Sequence, residues 1–251
     1  MQLVSMAGAF LIPLFWFMPV SSLSPVEKAD REFVGIRYAA AEALYVAALT
    51  ASVDSAEVLW KLARVNVCMA DVASQDQKLP LYRRAEWFAD RSVKADSMNS
   101  EGHAWRAAAL GNIAMFEGSK TKVRLCNVIK TELDESIRLN PDNDIAYSIL
   151  GSFYMALGNV SWIERQLASV FLGSLPDGGY DDAERALKKA IALSPQVIRH
   201  HAELGELFAL QNRAQEAMGE FQRVLSLPVL LASDRKAQDR AAGRIQKLGE
   251  K

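Results

Sequence analysis

The sequence predicts an all-α array of paired helices, and three observations lead there. First, three stretches end alike: Ser136-Ile137-Arg138-Leu139-Asn140-Pro141, Ala190-Ile191-Ala192-Leu193-Ser194-Pro195 and Val224-Leu225-Ser226-Leu227-Pro228. Each reads as the last turn of an amphipathic helix stopped by a proline, which has no N–H to continue the ladder. Second, Pro195 and Pro228 stand 33 residues apart, the span of one helix–turn–helix unit. Third, from Glu27 onward no stretch alternates apolar and polar residues with β-branched enrichment, and glycine and proline fall between periodic segments. Stacked helix pairs build a curved binding surface and seldom carry catalytic machinery.

The first 26 residues hold no charged side chain, and Leu3 to Val20 is strongly apolar. Val20-Ser21-Ser22 has the small residues that signal peptidase accepts, so residues 1–22 read as a cleaved signal peptide, or as a retained membrane anchor of about 20 residues. Either predicts an exported or membrane-anchored chain, in the cell envelope or periplasm if bacterial; a cytoplasmic location is the alternative. Residues 27–251 form the helical domain.

Within that domain each unit is a set of size requirements. A large residue at position 4 and leucine at 7 pack helix A, and glycine or alanine at 8 lets helix B approach. A large residue follows at 11. Alanine at 20, a large residue at 24 and alanine at 27 pack helix B, and proline at 32 stops it. The last unit, 198–228, gives His201, Leu204, Gly205, Phe208, Ala217, Phe221 and Val224. The unit at 144–195 gives Tyr147, Leu150, Gly151, Tyr154, Ala183, Leu187, Ala190 and Pro195, with about 20 extra residues between its helices. Two looser units precede them. In 103–141, Trp105 holds position 4, with Leu133 and Ser136 on helix B; in 56–98, Trp60 holds position 4, with Ala63, Ala85, Ala89 and Ser92 in small or packing positions. Residues 27–53 supply a leading half-unit, a helix B with Ala41, Tyr45 and Ala48. These sizes and spacings are those of the tetratricopeptide repeat, an α-solenoid.

Residues 233–249 read as a polar capping helix with Ser233 at its N-cap, Asp234 in its first turn and Gly249 beyond its end. The extra segment at 159–178 reads as an inserted amphipathic helix: Ser161-Trp162-Ile163-Glu164 is a capping box, and Gly173 and Pro176-Asp177-Gly178-Gly179 end it. Its apolar residues Trp162, Ile163, Leu167, Val170 and Phe171 widen the core, form a lid over an apolar pocket, or insert directly into a membrane. Residues 71–84 and 114–122 read as smaller insertions at equivalent inter-helix positions.

Four segments in order then carry a resemblance: Leu59-Trp60-Lys61-Leu62-Ala63-Arg64, Phe116-Glu117-Gly118-Ser119-Lys120-Thr121-Lys122-Val123, Ile137-Arg138-Leu139-Asn140-Pro141 and Ser161-Trp162-Ile163-Glu164-Arg165-Gln166-Leu167-Ala168. Over about residues 55–228 the chain resembles the regulator of microtubule dynamics family, including bacterial tetratricopeptide relatives. The resemblance implies a helical-repeat adaptor without enzymatic activity. It also implies microtubule association, as in animal members, and lipid binding, as in the repeat domain of a tether between endoplasmic reticulum and mitochondrion.

The remaining chemistry is sparse. Half the residues are hydrophobic, 24% are charged and the net charge is −1. A near-neutral balance gives no long-range attraction for nucleic acid or an anionic membrane, although local basic patches can still act. Cys68 and Cys126 read as buried unpaired thiols, with a disulfide as the alternative in an oxidising compartment; together with His103, His200 and His201 they have no zinc-site spacing. No nucleophile elbow, phosphate-cradling glycine loop or triad is present, so neither catalytic residues nor a cofactor are expected. Helix A positions 2, 5, 9 and 12 predict a groove. Its candidate contacts are Lys61, Val65, Arg106, Leu110, Ser148, Met155 and Arg199, suited to a peptide or to a lipid with an anionic head group. Lys120, Lys122 and Arg124 form a candidate anion patch, and Glu132, Asp134 and Glu135 a solvated face. The expected partner is a protein or peptide, with lipid as the alternative; tubulin enters through the resemblance alone.

Overall fold

The computed structural model describes residues 23–51, 55–160 and 175–250, and among these every regular element is a helix. The eleven helices are α1 (Pro25–Val34), α2 (Tyr38–Ala51), α3 (Ala56–Val72), α4 (Gln75–Ala95), α5 (Ser100–Glu117), α6 (Ser119–Leu139), α7 (Asp144–Gly158), α8 (Tyr180–Leu193), α9 (Ile198–Leu210), α10 (Ala214–Ser226) and α11 (Ala232–Gly249). Successive helices pair as antiparallel hairpins, α1/α2 through α9/α10, and each hairpin packs on the next. The inserted helix expected around Trp162 to Phe171 lies outside the described residues. No helix among the described residues is long and apolar enough to cross a membrane.

The same local device starts four of the five A helices. Ser24, Ser55, Asn99 and Asn143 sit at N-caps and accept from the backbone N–H of Glu27, Val58, Gly102 and Ala146, satisfying donors that a helix start leaves open. The helices α4, α6 and α8 stop in a tight turn of one pattern. Asn99 N–H donates to Asp96 O at 3.2 Å, Asn143 to Asn140 at 3.1 Å and Val197 to Ser194 at 3.2 Å.

These turns fix the register and correct two sequence assignments. Ser97, Pro141 and Pro195 are equivalent, so position 4 falls on His103, Tyr147 and His201, six residues after each. In the third unit His103 takes the place assigned to Trp105, whose indole N–H instead donates to Glu101 on its own helix at 3.1 Å. Counting likewise from the Ser55 cap, fully buried Leu59 takes the place assigned to Trp60. A tryptophan draws a pattern match because it usually fills that position; here the caps and turns select its neighbours.

With this register, position 8 reads Ala63, Ala107, Gly151 and Gly205, and the glycines are required. A Cβ on Gly151 would stand 2.7 Å from Leu187 Cδ2, and one on Gly205 would stand 2.7 Å from Phe221 Cε1. Both partners hold position 24 of the facing B helix and are buried, as are Ala183, Ala190, Ala217 and Val224 on either side.

Three further expectations change. The leading half-unit has its own helix A: α1 packs on α2, burying Ala29 and Phe33 beside Ala41 and Tyr45. The supposed insertions at 71–84 and 114–122 are lengthened helices. α3 reaches Val72 and α4 begins at Gln75, while Gly118 alone (φ 95°) separates α5 from α6. Both α4 and α6 have 21 residues against 13 in α10. The extra turns bury a satellite cluster of Ala70, Tyr82 and Ile113, flanked by Leu79, Leu81 and Leu125. Finally, α11 starts at Ala232, one residue before the expected N-cap. The buried Asp234 carboxylate accepts from Leu230 and Leu231 N–H, each at 2.8 Å.

The capping helix also does more than cover the last repeat. Ala237, Ala241, Ile245 and Leu248 pack with α9 and α10, and Gln238 donates to the Val224 and Leu227 carbonyls. Its N-terminal end reaches back to the start of the array, where Ala232 N–H donates to Tyr38 Oη at 3.0 Å and Leu231 packs against the first core.

The close approach makes a paired prediction. Gly151→Val should destabilise the fold by about 1–3 kcal/mol through overpacking against Leu187. Gly219→Ala, on an exposed helical surface with no atom within 4 Å of the new Cβ, should stabilise it by up to about 1 kcal/mol. Urea midpoints of the two variants against the parent check both signs.

Candidate functional site

The sequence-predicted groove residues separate into four environments. Lys61 is 8% exposed and Val65 is fully buried, so neither lines an open groove. Lys61 bridges Asp30 of α1 at 2.7 Å and Glu57 at 2.9 Å. Burial pushes the Asp30 carboxyl up, but hydrogen bonds from Lys61 and Tyr45, with the Lys61 and Arg64 charges, outweigh it and hold the carboxyl below its ordinary value. The cause is α1, which covers this end of the array. Ser148 is buried, and Met155 is half-buried against the second core. Arg199 on α9 is half-buried and acts electrostatically on Asp71 of α3. Burial pushes the Asp71 carboxyl up, and Arg199 is the largest influence opposing it. Lys236 of α11 reaches the Asp71 carbonyl at 3.5 Å. The inner side of the array is therefore partly filled by its own C-terminal helix.

Arg106 and Leu110 go elsewhere. In the observed register they hold positions 7 and 11, and they line a cleft of about 400 Å³ between α4, α5 and α6. Its walls are Arg83 and Glu86 from α4, Arg106, Leu110, Ile113 and Glu117 from α5, and Arg124, Leu125 and Val128 from α6. The cleft thus joins two groove candidates to one member of the anion patch. The other two members, Lys120 and Lys122, are exposed on the first turns of α6.

The cleft has an apolar floor and a charged rim. Leu110 and Ile113 are buried, Leu125 is half-buried and Val128 is exposed. Arg83 bridges to Glu117 at 2.6 Å across the mouth. Arg106 holds Glu132 at 2.7 Å and Asp90 at 3.1 Å, tying all three helices together. Glu86 and Arg124 have no ion-pair partner within reach among the described residues. Burial, then the neighbouring Asp90 charge, raises the Glu86 carboxyl above its ordinary value against the pull of Arg106. The arrangement offers one free cation, one acid of raised pKa and a greasy strip between them. Sequence reading missed Arg83 and Glu86; the signal was charge at 83, 86 and 90, spaced to share one face of α4.

Glu132 also departs from expectation. Placed on a solvated face by sequence, it is buried and accepts from His103 Nδ1 at 2.7 Å. His103 Nε2 faces the Ser97 carbonyl at 3.0 Å. His201 repeats the geometry, with Nδ1 2.6 Å from Glu220 and Nε2 3.0 Å from the Pro195 carbonyl. Position 4 thus clamps its own helix B and the preceding turn in two units. Both nitrogens of His103 face acceptors, which favours the imidazolium. The Glu132 hydrogen bond is the main cause holding the His103 pKa above its ordinary value, against burial. The thiols of Cys68 and Cys126 are free and buried, and burial drives Cys68 up to about 12.

Paired antiparallel helices with small residues at their crossings, stacked in register and closed by a capping helix, define a tetratricopeptide-type repeat protein. The family described as regulator of microtubule dynamics protein 1-3 matches residues 26–249. The chain belongs to that family. It is 26% identical over 187 residues to human regulator of microtubule dynamics protein 2, covering 74% of this chain and 46% of that protein. It is also 26% identical over 192 residues to mouse regulator of microtubule dynamics protein 1, covering 75% and 63%. The chain thus spans about half to two thirds of the length of these relatives. Among solved structures, a thermophilic TPR protein of Thermus thermophilus superposes with a TM-score of 0.66 at 22% identity, covering 88% of this chain and 97% of the other. That likeness is one of fold.

The His103 clamp fixes a pH dependence. Because its folded-state pKa lies above the ordinary 6.5, its stabilisation is fully present below about pH 6.5 and is lost as pH rises through the folded-state value. Denaturant unfolding measured from pH 5.5 to pH 8.5 should show the parent losing stability relative to His103→Gln as pH rises.

Proposed function

We propose that this protein is a non-enzymatic helical-repeat adaptor that docks a peptide segment of a partner protein in the α4–α5–α6 cleft. The observation that carries the reading is the cleft's combination of apolar lining residues, Leu110, Ile113, Leu125 and Val128, with Arg124 and Glu86, which have no ion-pair partner among the described residues. A segment with an apolar side chain flanked by a carboxylate complements it: the floor takes the anchor and Arg124 takes the acid. The partly filled inner side supports the cleft over the expected concave groove. The relatives' name ties them to microtubule dynamics; the role proposed here belongs to the helical-repeat body the chain shares with them.

Selection of displayed peptides against the full chain tests the proposal. Selected peptides should carry an apolar anchor beside an acidic residue, and Val128→Glu or Arg124→Glu should weaken them about tenfold or more. Binding indifferent to both substitutions would overturn it. So would native mass spectrometry showing copurified lipid bound at full occupancy and unmoved by the peptide, which would favour lipid carriage instead.

A further inference from the structure

The same edge of the array carries a second feature, independent of the cleft's ligand. In each hairpin the turn from helix A to helix B lies on one edge, opposite the Ser97, Pro141 and Pro195 turns. With 21 residues against 13 in α10, α6 projects about 12 Å further toward that edge than α10 does. Its corner is sharp, because Gly118 alone joins α5 to α6.

This corner exposes apolar side chains beside unpaired cations. Met115 is 61% exposed and Phe116 37% exposed. Between Gly118 and Thr131 the chain has Lys120, Lys122, Arg124 and Lys130 and no acid, although its overall charge is −1. Lys130 is paired with Asp134 at 2.6 Å. Lys120, Lys122 and Arg124 are exposed and have no ion-pair partner among the described residues. The nearest acid in sequence, Glu117, is already engaged by Arg83 and by the Thr121 hydroxyl. The neighbouring α3–α4 corner adds exposed Val72 and half-buried Lys78.

We propose that this corner docks on an anionic lipid bilayer, with Met115 and Phe116 entering the interface and Lys120 and Lys122 meeting the head groups. Charge complementarity points to an anionic partner, and shape selects a bilayer over an acidic protein segment. A peptide gains most from a groove with two walls, as the neighbouring cleft has. Two apolar side chains on a convex corner have no opposing wall, and a bilayer surrounds them while presenting negative charge in one plane. The chain's net charge of −1 does not oppose this, because head-group attraction decays within a Debye length and acts on the local patch.

A fluorophore sensitive to polarity, attached to Met115→Cys in the full chain, reports the corner itself whatever the first 22 residues do; the native Cys68 and Cys126 are buried. Vesicles of phosphatidylcholine containing about a third phosphatidylserine should shift its emission to the blue, pure phosphatidylcholine should not, and added salt should reverse the shift. Lys120→Glu with Lys122→Glu should weaken the response about tenfold or more, while Lys120→Arg with Lys122→Arg should preserve it. Arg124 is left intact because it also lines the cleft, so failure here leaves the peptide-docking reading standing. The proposal is overturned by no shift on anionic vesicles, an equal shift on neutral ones, an unchanged response in the Lys120→Glu, Lys122→Glu variant, or a shift produced by a polyglutamate peptide in place of vesicles.

Discussion

Everything in this fold depends on how closely two helices of one hairpin approach. At position 8 the A helix has Ala63, Ala107, Gly151 or Gly205, and in the last two units the B helix fills the space with Leu187 or Phe221. The short separation lets positions 20 and 27 stay small and buried, so that each hairpin becomes a thin layer. Layers of similar thickness stack, and their stacking creates the continuous first core from Ala29 to Ala186 and the second from Ala183 to Ala241. A larger residue at one crossing would separate two helices and disturb the register of the layers on both sides.

Upon that repeating frame the chain makes two departures. Lengthening α3 to α6 continues the hairpins past their normal turn, where a third apolar cluster stabilises them and the α4–α5–α6 cleft opens beside it. Returning α11 to α2 and α3 joins the ends of the array and partly fills its inner side. Together they move the accessible chemistry from the concave face toward one edge. Arg106 shows the change of role: its bridges to Asp90 and Glu132 make it a strut at the end of the cleft.

The sequence made some of this legible and left some hidden, for identifiable reasons. Helix B positions were readable because size is informative there: Ala41, Tyr45 and Ala48, then Ala85, Ala89 and Ser92, and the later sets through Val224 are all buried. Two A helices were misread by one and two residues because Trp60 and Trp105 outweigh Leu59 and His103 in a pattern match. The lengthened helices looked like insertions because a spacing longer than the repeat does not reveal whether the extra residues form loop or helix. The cleft was half legible: Arg106, Leu110 and Arg124 were singled out, but for two separate surfaces, since only tertiary packing brings α4 and α6 together. The return of α11 left no local trace, because Ala232 and Tyr38 are 194 residues apart in sequence.

Membership in the regulator of microtubule dynamics family extends over nearly the whole described chain, so the helical frame is shared. The most direct test of the account is hydrogen exchange on the full chain with and without a selected peptide. The account predicts slowed exchange within 83–90, 106–117 and 124–128, with little change elsewhere. Slowed exchange concentrated in 145–155 and 199–209, along the concave face, would contradict it.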